Sequence, residues 1–201
     1  MIKSWKELPI GKYREISELD SDEDWQWKVL AILNDTTLED IITRPINETM
    51  ALSRDLNKWI YDAPIIHPVQ KTYNLDGRKF NFKGFPNDIC TAQYIDFYNA
   101  DKEIPKNIAD VMAIFMVPEG HKYNDGYDFD EVKDWLLNHF STEDALSVCD
   151  FFLVLFQRLQ ARLLKKAKRA LKQAKKQGIE VEKTEIAIQM LQEYQRTNGL
   201  K

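Results

Sequence analysis

Cysteine is nearly missing from this chain, and glycine and histidine are scarce. There are 2 cysteines, 3 histidines and 7 glycines in 201 residues. Cys90 and Cys149 stand far apart and without metal-ligand spacing, which excludes a disulfide framework and a zinc module. Both fall inside helical patterns, so the expectation is buried, unreactive thiols in a reducing cytoplasm. His67, His121 and His139 are equally scattered and offer no paired ligands. So few glycines leave no phosphate-cradling loop, no dinucleotide fingerprint and no nucleophile elbow. Apolar runs stop well short of the roughly 20 residues that cross a bilayer, and the opening residues do not read as a signal peptide. No enzyme, cofactor or metal is expected.

One further absence is local. From Arg158 to Lys176 there is no acid, while nine cations occur: Arg158, Arg162, Lys165, Lys166, Lys168, Arg169, Lys172, Lys175 and Lys176. The formal net charge is nevertheless −4, and six acids crowd between Glu15 and Asp24. An acidic chain with one basic stretch favours a protein partner or self-association over nucleic acid.

What is present is mostly helical periodicity. Ser141-Thr142-Glu143-Asp144 is a helix start, with a hydroxyl cap and carboxylates in the first turn. Ala145, Val148, Cys149, Phe152, Leu155, Phe156, Leu159 and Leu163 follow at spacings of three and four, until Gly178 offers a stop. Such a helix spans roughly 50 Å at about 1.5 Å per residue, core at one end and basic arm at the other. Within the arm, Leu159, Leu163, Ala167 and Leu171 keep a thin apolar stripe. With Arg158, Arg162, Lys165, Lys166 and Arg169 they form the candidate partner-binding surface.

Upstream, helical patterns carry Tyr13, Ile16 and Leu19; then Trp25, Val29, Ile32 and Leu33, capped by Ser21 or Asp22. A short turn starts at Thr37, and a longer helix carries Ile46 to Ile60. The strongest β signal is Lys71–Leu75, Asp76-Gly77, Arg78–Phe82, a two-residue hairpin of type I′ chemistry with Tyr73 opposite Phe80 and Leu75 and Phe82 on the same face. It must lie on the chain's own helices or join another chain's sheet. Pro86-Asn87-Asp88 is read as the cap of the next helix, and Pro105 as the start of one carrying Ile108, Val111, Met112, Phe115 and Met116. The oxygen-bearing residues around Gly126, namely Asn124, Asp125, Asp128, Asp130 and Glu131, lack calcium-loop spacing; Asp128 or Asp130 is expected to cap the helix of Val132, Trp135, Leu136 and Phe140. A last helix starts at Thr184. The fold class is therefore mainly α with one β-hairpin: a helical core over 1–161 with the hairpin near 71–82, then a basic helical arm and short helix over 162–201.

Four segments resemble the tail assembly chaperones of tailed bacteriophages, especially of Bacteroides-type gut phages. They are Trp5-Lys6-Glu7-Leu8-Pro9-Ile10-Gly11-Lys12-Tyr13, Thr91-Ala92-Gln93-Tyr94-Ile95-Asp96-Phe97, Phe115–Gly120 with Tyr123-Asn124-Asp125-Gly126-Tyr127, and Asp144-Ala145-Leu146 with Phe151-Phe152. The resemblance implies a helical protein without active site or cofactor that binds a tape-measure client in the cytoplasm of the infected host. The basic arm equally suits a virion structural protein near the portal or in the tail. A nucleic-acid-binding accessory is the third reading, and membrane binding is disfavoured by the thin stripe.

Overall fold

The computed structural model describes residues 2–85, 87–100 and 106–176, apart from the side chains of Tyr98, Phe156, Gln157, Leu159, Gln160, Leu163, Ala167, Leu171 and residues 173–176. The helix expected from Thr184 lies outside the described residues. The elements run α1 (Ile10–Ser17), α2 (Trp25–Leu33), α3 (Leu38–Ile42), α4 (Ile46–Asn57), β1 (Thr72–Leu75), β2 (Arg78–Phe82), α5 (Thr91–Asn99), α6 (Ile108–Phe115), β3 (Met116–Pro118), α7 (Phe129–His139) and α8 (Thr142–Lys176). The chain is mainly helical with a small antiparallel sheet, and it divides into two compact units, Met1–Cys149 and Asp150–Lys201.

Local chemistry accounts for most boundaries. Thr37 and Asp40 form a reciprocal capping box at α3, and Asp128 Oδ1 accepts the N–H groups of Asp130 and Glu131 at 2.9 and 3.2 Å to start α7. Ser141 Oγ accepts the Asp144 N–H at 3.0 Å at the head of α8. Helix α4 stops at Asn57, so Trp59 and Ile60 sit in the following turn instead of on the helix, yet both remain buried. Leu8, Ile16, Val29, Leu30, Leu33, Ile41, Leu56, Trp59 and Ile60 make one core cluster.

The hairpin has the expected register, Tyr73 opposite Phe80, and positive φ at Asp76 (48°) and Gly77 (84°). It packs on the chain's own helices: Tyr73 meets Phe140 edge-on at 5.2 Å, and Trp135 Nε1 donates to the Leu75 carbonyl at 3.2 Å. A third strand corrects the single-hairpin reading. Met116, assigned above to a helix, begins β3, which pairs antiparallel with β2 through Asn81 and Val117. Seven of the eight residues of α6 are buried, so an apolar run alone could not show where helix gives way to strand.

Two long-range joints set where α8 begins. The Leu8 carbonyl accepts both the N–H of Thr142 at 2.7 Å and its hydroxyl at 2.8 Å, while the Ile10 N–H donates to the Phe140 carbonyl at 3.0 Å. Alongside, α1 lies so close to α7 that a Cβ on Gly11 would stand 2.8 Å from the Leu137 carbonyl oxygen. That approach, and not a turn, is why glycine occupies position 11.

Candidate protein-interaction surfaces

The first turn of α8 is a polar joint. Ser141 Oγ donates to Asp144 Oδ2 at 2.6 Å, and Ser147 Oγ donates back to the Glu143 carbonyl at 2.8 Å. The segment between α4 and β1 is held here. The His67 N–H donates to Ser147 Oγ at 3.2 Å, and His67 Nε2 lies 3.5 Å from both Glu143 Oε1 and Asp144 Oδ1. Ala145 and Val148 are fully buried. Cys149 is only partly exposed, and burial pushes its thiol up to about 11, so it stays a protonated, poorly nucleophilic group. Cys90 differs from expectation: it is exposed and serves as the N-cap of α5. Its N–H donates to Gln93 Oε1 at 3.1 Å, while Gln93 Nε2 donates to the Ile114 carbonyl at 2.8 Å. Gln93 thus does the capping assigned above to Asn87 or Asp88, because its fully buried amide satisfies groups on two elements at once.

In the second unit, Arg158, Arg162, Lys165, Lys166 and Arg169 are all exposed, as are Lys168 and Lys172. Among the described residues no carboxylate lies within ion-pair distance of any of them. The apolar partners assigned to them, Leu159, Leu163, Ala167 and Leu171, lie outside the described side chains. Within the basic stretch Leu164 is described and is half-buried. With Ala161, Lys165, Lys168, Arg169 and Lys172 it lines a shallow concavity of about 490 Å³. The same three-and-four spacing, started from Ala161, would have found this face in the sequence.

The first unit carries apolar surface of its own. Ile42 at the end of α3 and Ile46 and Met50 on α4 are 61, 74 and 49% exposed. The adjoining side of α4 holds the buried Thr49, Ser53 and Leu56, with Ser53 Oγ accepting from Gln26 Nε2 at 2.7 Å. Spacing placed Ile46 and Met50 on one helix with Leu56; the buried side is the one where Thr49 and Ser53 hold hydrogen bonds, and the two apolar residues stand at its exposed margin.

Two concavities of the first unit have polar walls. One of about 540 Å³ is bordered by Arg78, Lys79, Glu119, His121, Asp128 and Glu131. Its charges are largely matched: Arg78 pairs with Glu131 at 2.6 Å and lies 4.0 Å over the Trp135 ring, and Lys79 reaches Glu119 at 3.7 Å. The other, of about 920 Å³, includes Asp96, Asp110, Tyr123 and Lys133. There Tyr123 donates to Asp96 Oδ2 at 2.8 Å, and burial together with that carboxylate pushes its hydroxyl far up. Of the acids near Gly126, Asp128 caps α7 and Glu131 pairs with Arg78. The structure brings no two histidines together: His121 is edge-on to Tyr127, and His139 stacks on Trp135 at 3.9 Å. Among the described residues no three His, Cys, Asp or Glu side chains are grouped to hold a metal ion, and no helix is long and apolar enough to cross a membrane.

Comparison of the chain with protein-family models, with curated proteins and with solved structures gives no match.

Proposed function

We propose that this protein is a non-enzymatic morphogenesis factor of a tailed bacteriophage, a tail assembly chaperone that binds a long helical tape-measure client in the cytoplasm of the infected bacterium. The observation that carries the reading is the exposed, acid-free cation row Arg158, Arg162, Lys165, Lys166 and Arg169 on α8, unpaired among the described residues. A helix of this kind is suited to an acidic helical surface, where long-range attraction speeds encounter and a shallow apolar seam such as that around Leu164 supplies contact area. The four segment resemblances point the same way, and a chaperone needs exposed apolar and charged surface, not a reaction centre. The basic row also suits a virion component, and the third reading gives it to a nucleic-acid backbone.

The test is mass spectrometry of proteins captured by the tagged full chain from infected cells, run beside purified particles. Capture of the tape-measure protein from lysate, with this chain absent from particles, is the expected result. Reversal of Arg158, Arg162, Lys165, Lys166 and Arg169 to Glu should abolish the capture. Presence in particles at a fixed copy number would replace the chaperone by a structural role, and capture that nuclease treatment removes would replace it by a nucleic-acid role.

A further inference from the structure

The two edges of the three-stranded sheet are not equivalent. In an antiparallel ladder, alternate residues turn their N–H and C=O toward the neighbouring strand and away from it. The Phe82 N–H donates to the Lys71 carbonyl at 2.9 Å, and with the register Tyr73 to Phe80 and Leu75 to Arg78 this makes Lys71, Tyr73 and Leu75 the residues that face β2. Thr72 and Asn74 therefore point their backbone groups outward. At the other edge, Lys83 N–H donates to the Phe115 carbonyl at 2.8 Å and Glu119 N–H to the Lys79 carbonyl at 2.9 Å, which leaves Met116 and Pro118 outward.

That second edge is closed at three of its four outward backbone positions. The Met116 N–H donates to the Met112 carbonyl at the end of α6, Pro118 has no N–H, and its carbonyl accepts from the His121 N–H at 3.2 Å. Along β1 no such closure is found among the described residues. Among the described residues nothing takes the outward N–H or C=O of Thr72 or of Asn74. Their side chains are exposed and uncharged; the exposed Lys71 stands beside Thr72 but turns its own backbone carbonyl toward β2.

We propose that β1 is an interaction edge that pairs antiparallel with β1 of a second copy of this chain. The edge is self-complementary. A two-fold axis through Tyr73 sets Thr72 opposite the partner's Asn74 and Asn74 opposite the partner's Thr72, and each pair exchanges two backbone hydrogen bonds. Both copies then make identical contacts, as an isologous dimer requires. A hydroxyl faces an amide in each pair, so no like charges oppose one another. The two sheets merge into one of six strands. Pro68 upstream and the Asp76-Gly77 turn downstream limit the length of the pairing, so the dimer forms with rising concentration and not as an obligate unit. This stands independently of the client-binding reading.

The test is sedimentation velocity of the full chain over a concentration series, paired with amide hydrogen exchange. The wild type should pass from monomer to dimer, with protection of the Thr72 and Asn74 amides growing in step. Asn74→Pro removes only an outward N–H and leaves the ladder to β2 intact. By symmetry it deletes two hydrogen bonds, which weakens the dimer about 30-fold. Asn74→Lys keeps the backbone and should weaken the dimer through edge charge, which secures the result if the proline variant folds poorly. A wild type that stays monomeric throughout overturns the proposal. So does a dimer whose Thr72 and Asn74 amides exchange freely, or protection that appears only when another protein is added.

Discussion

Tyr73 illustrates how much one residue can carry. It is 4% exposed, packs edge-on against Phe140 at 5.2 Å, and its hydroxyl accepts the Gln70 N–H at 3.2 Å. Burial pushes that hydroxyl up to about 12 from 10.0. A phenol whose folded pKa exceeds its unfolded one favours the folded state while protonated. Its contribution is therefore whole below pH 10 and is lost as pH rises through 12, by about 2–3 kcal/mol. Denaturant midpoints across that window should fall for the wild type and fall less steeply for Tyr73→Phe. Some slope should survive the substitution, because burial moves the Cys149 thiol in the same direction, from 9.0 to about 11. The pairing of Tyr73 with Phe80 was legible from turn chemistry and alternation; its contact with Phe140, far along the chain, was not.

Among the elements, two glycines separate two physical roles. Gly77 has φ +84° and open space where a Cβ would go, whereas a Cβ at Gly11 would press on the Leu137 carbonyl of α7. Gly77→Ala should cost about 1 kcal/mol through backbone conformation alone. Gly11→Ala should cost more, about 1–3 kcal/mol, since α1 and α7 must move apart. Urea unfolding of the two variants checks the order; a Gly11→Ala variant as stable as the wild type or more so would mean that the helices separate without penalty. Turn dipeptides announce the first role in sequence, but nothing local announces the second. The strand β3 escaped notice for a related reason. Met116 ends an apolar helical run, and only pairing with Asn81 and Phe82 makes it extended. Exposure of Ile46 and Met50 was equally hidden, because an apolar stripe is ordinarily the buried one.

Over the whole molecule, charge is segregated: six exposed acids between Glu15 and Asp24, and a row of exposed cations on α8. Surface charges without partners contribute little to folding. Arg162→Glu with Arg169→Glu should thus leave the thermal unfolding free energy within about 0.5 kcal/mol of wild type, read by calorimetry. A large loss would show that these cations hold the fold together and are not kept for a partner.

The sequence by itself determined the helical character of the chain, the hairpin and its register, the caps at Thr37 and Ser141, a cap at Asp128 or Asp130, and the change from apolar to basic along α8. Each of these follows from contacts within a few residues, where spacing and side-chain chemistry suffice. Only the tertiary structure decided that Gln93 caps α5, that Leu8 anchors Thr142, that Cys90 is exposed, and that β3 closes one sheet edge while β1 stays open. Those outcomes depend on hydrogen-bonding groups brought together from distant parts of the chain, and no local pattern encodes which of them will meet.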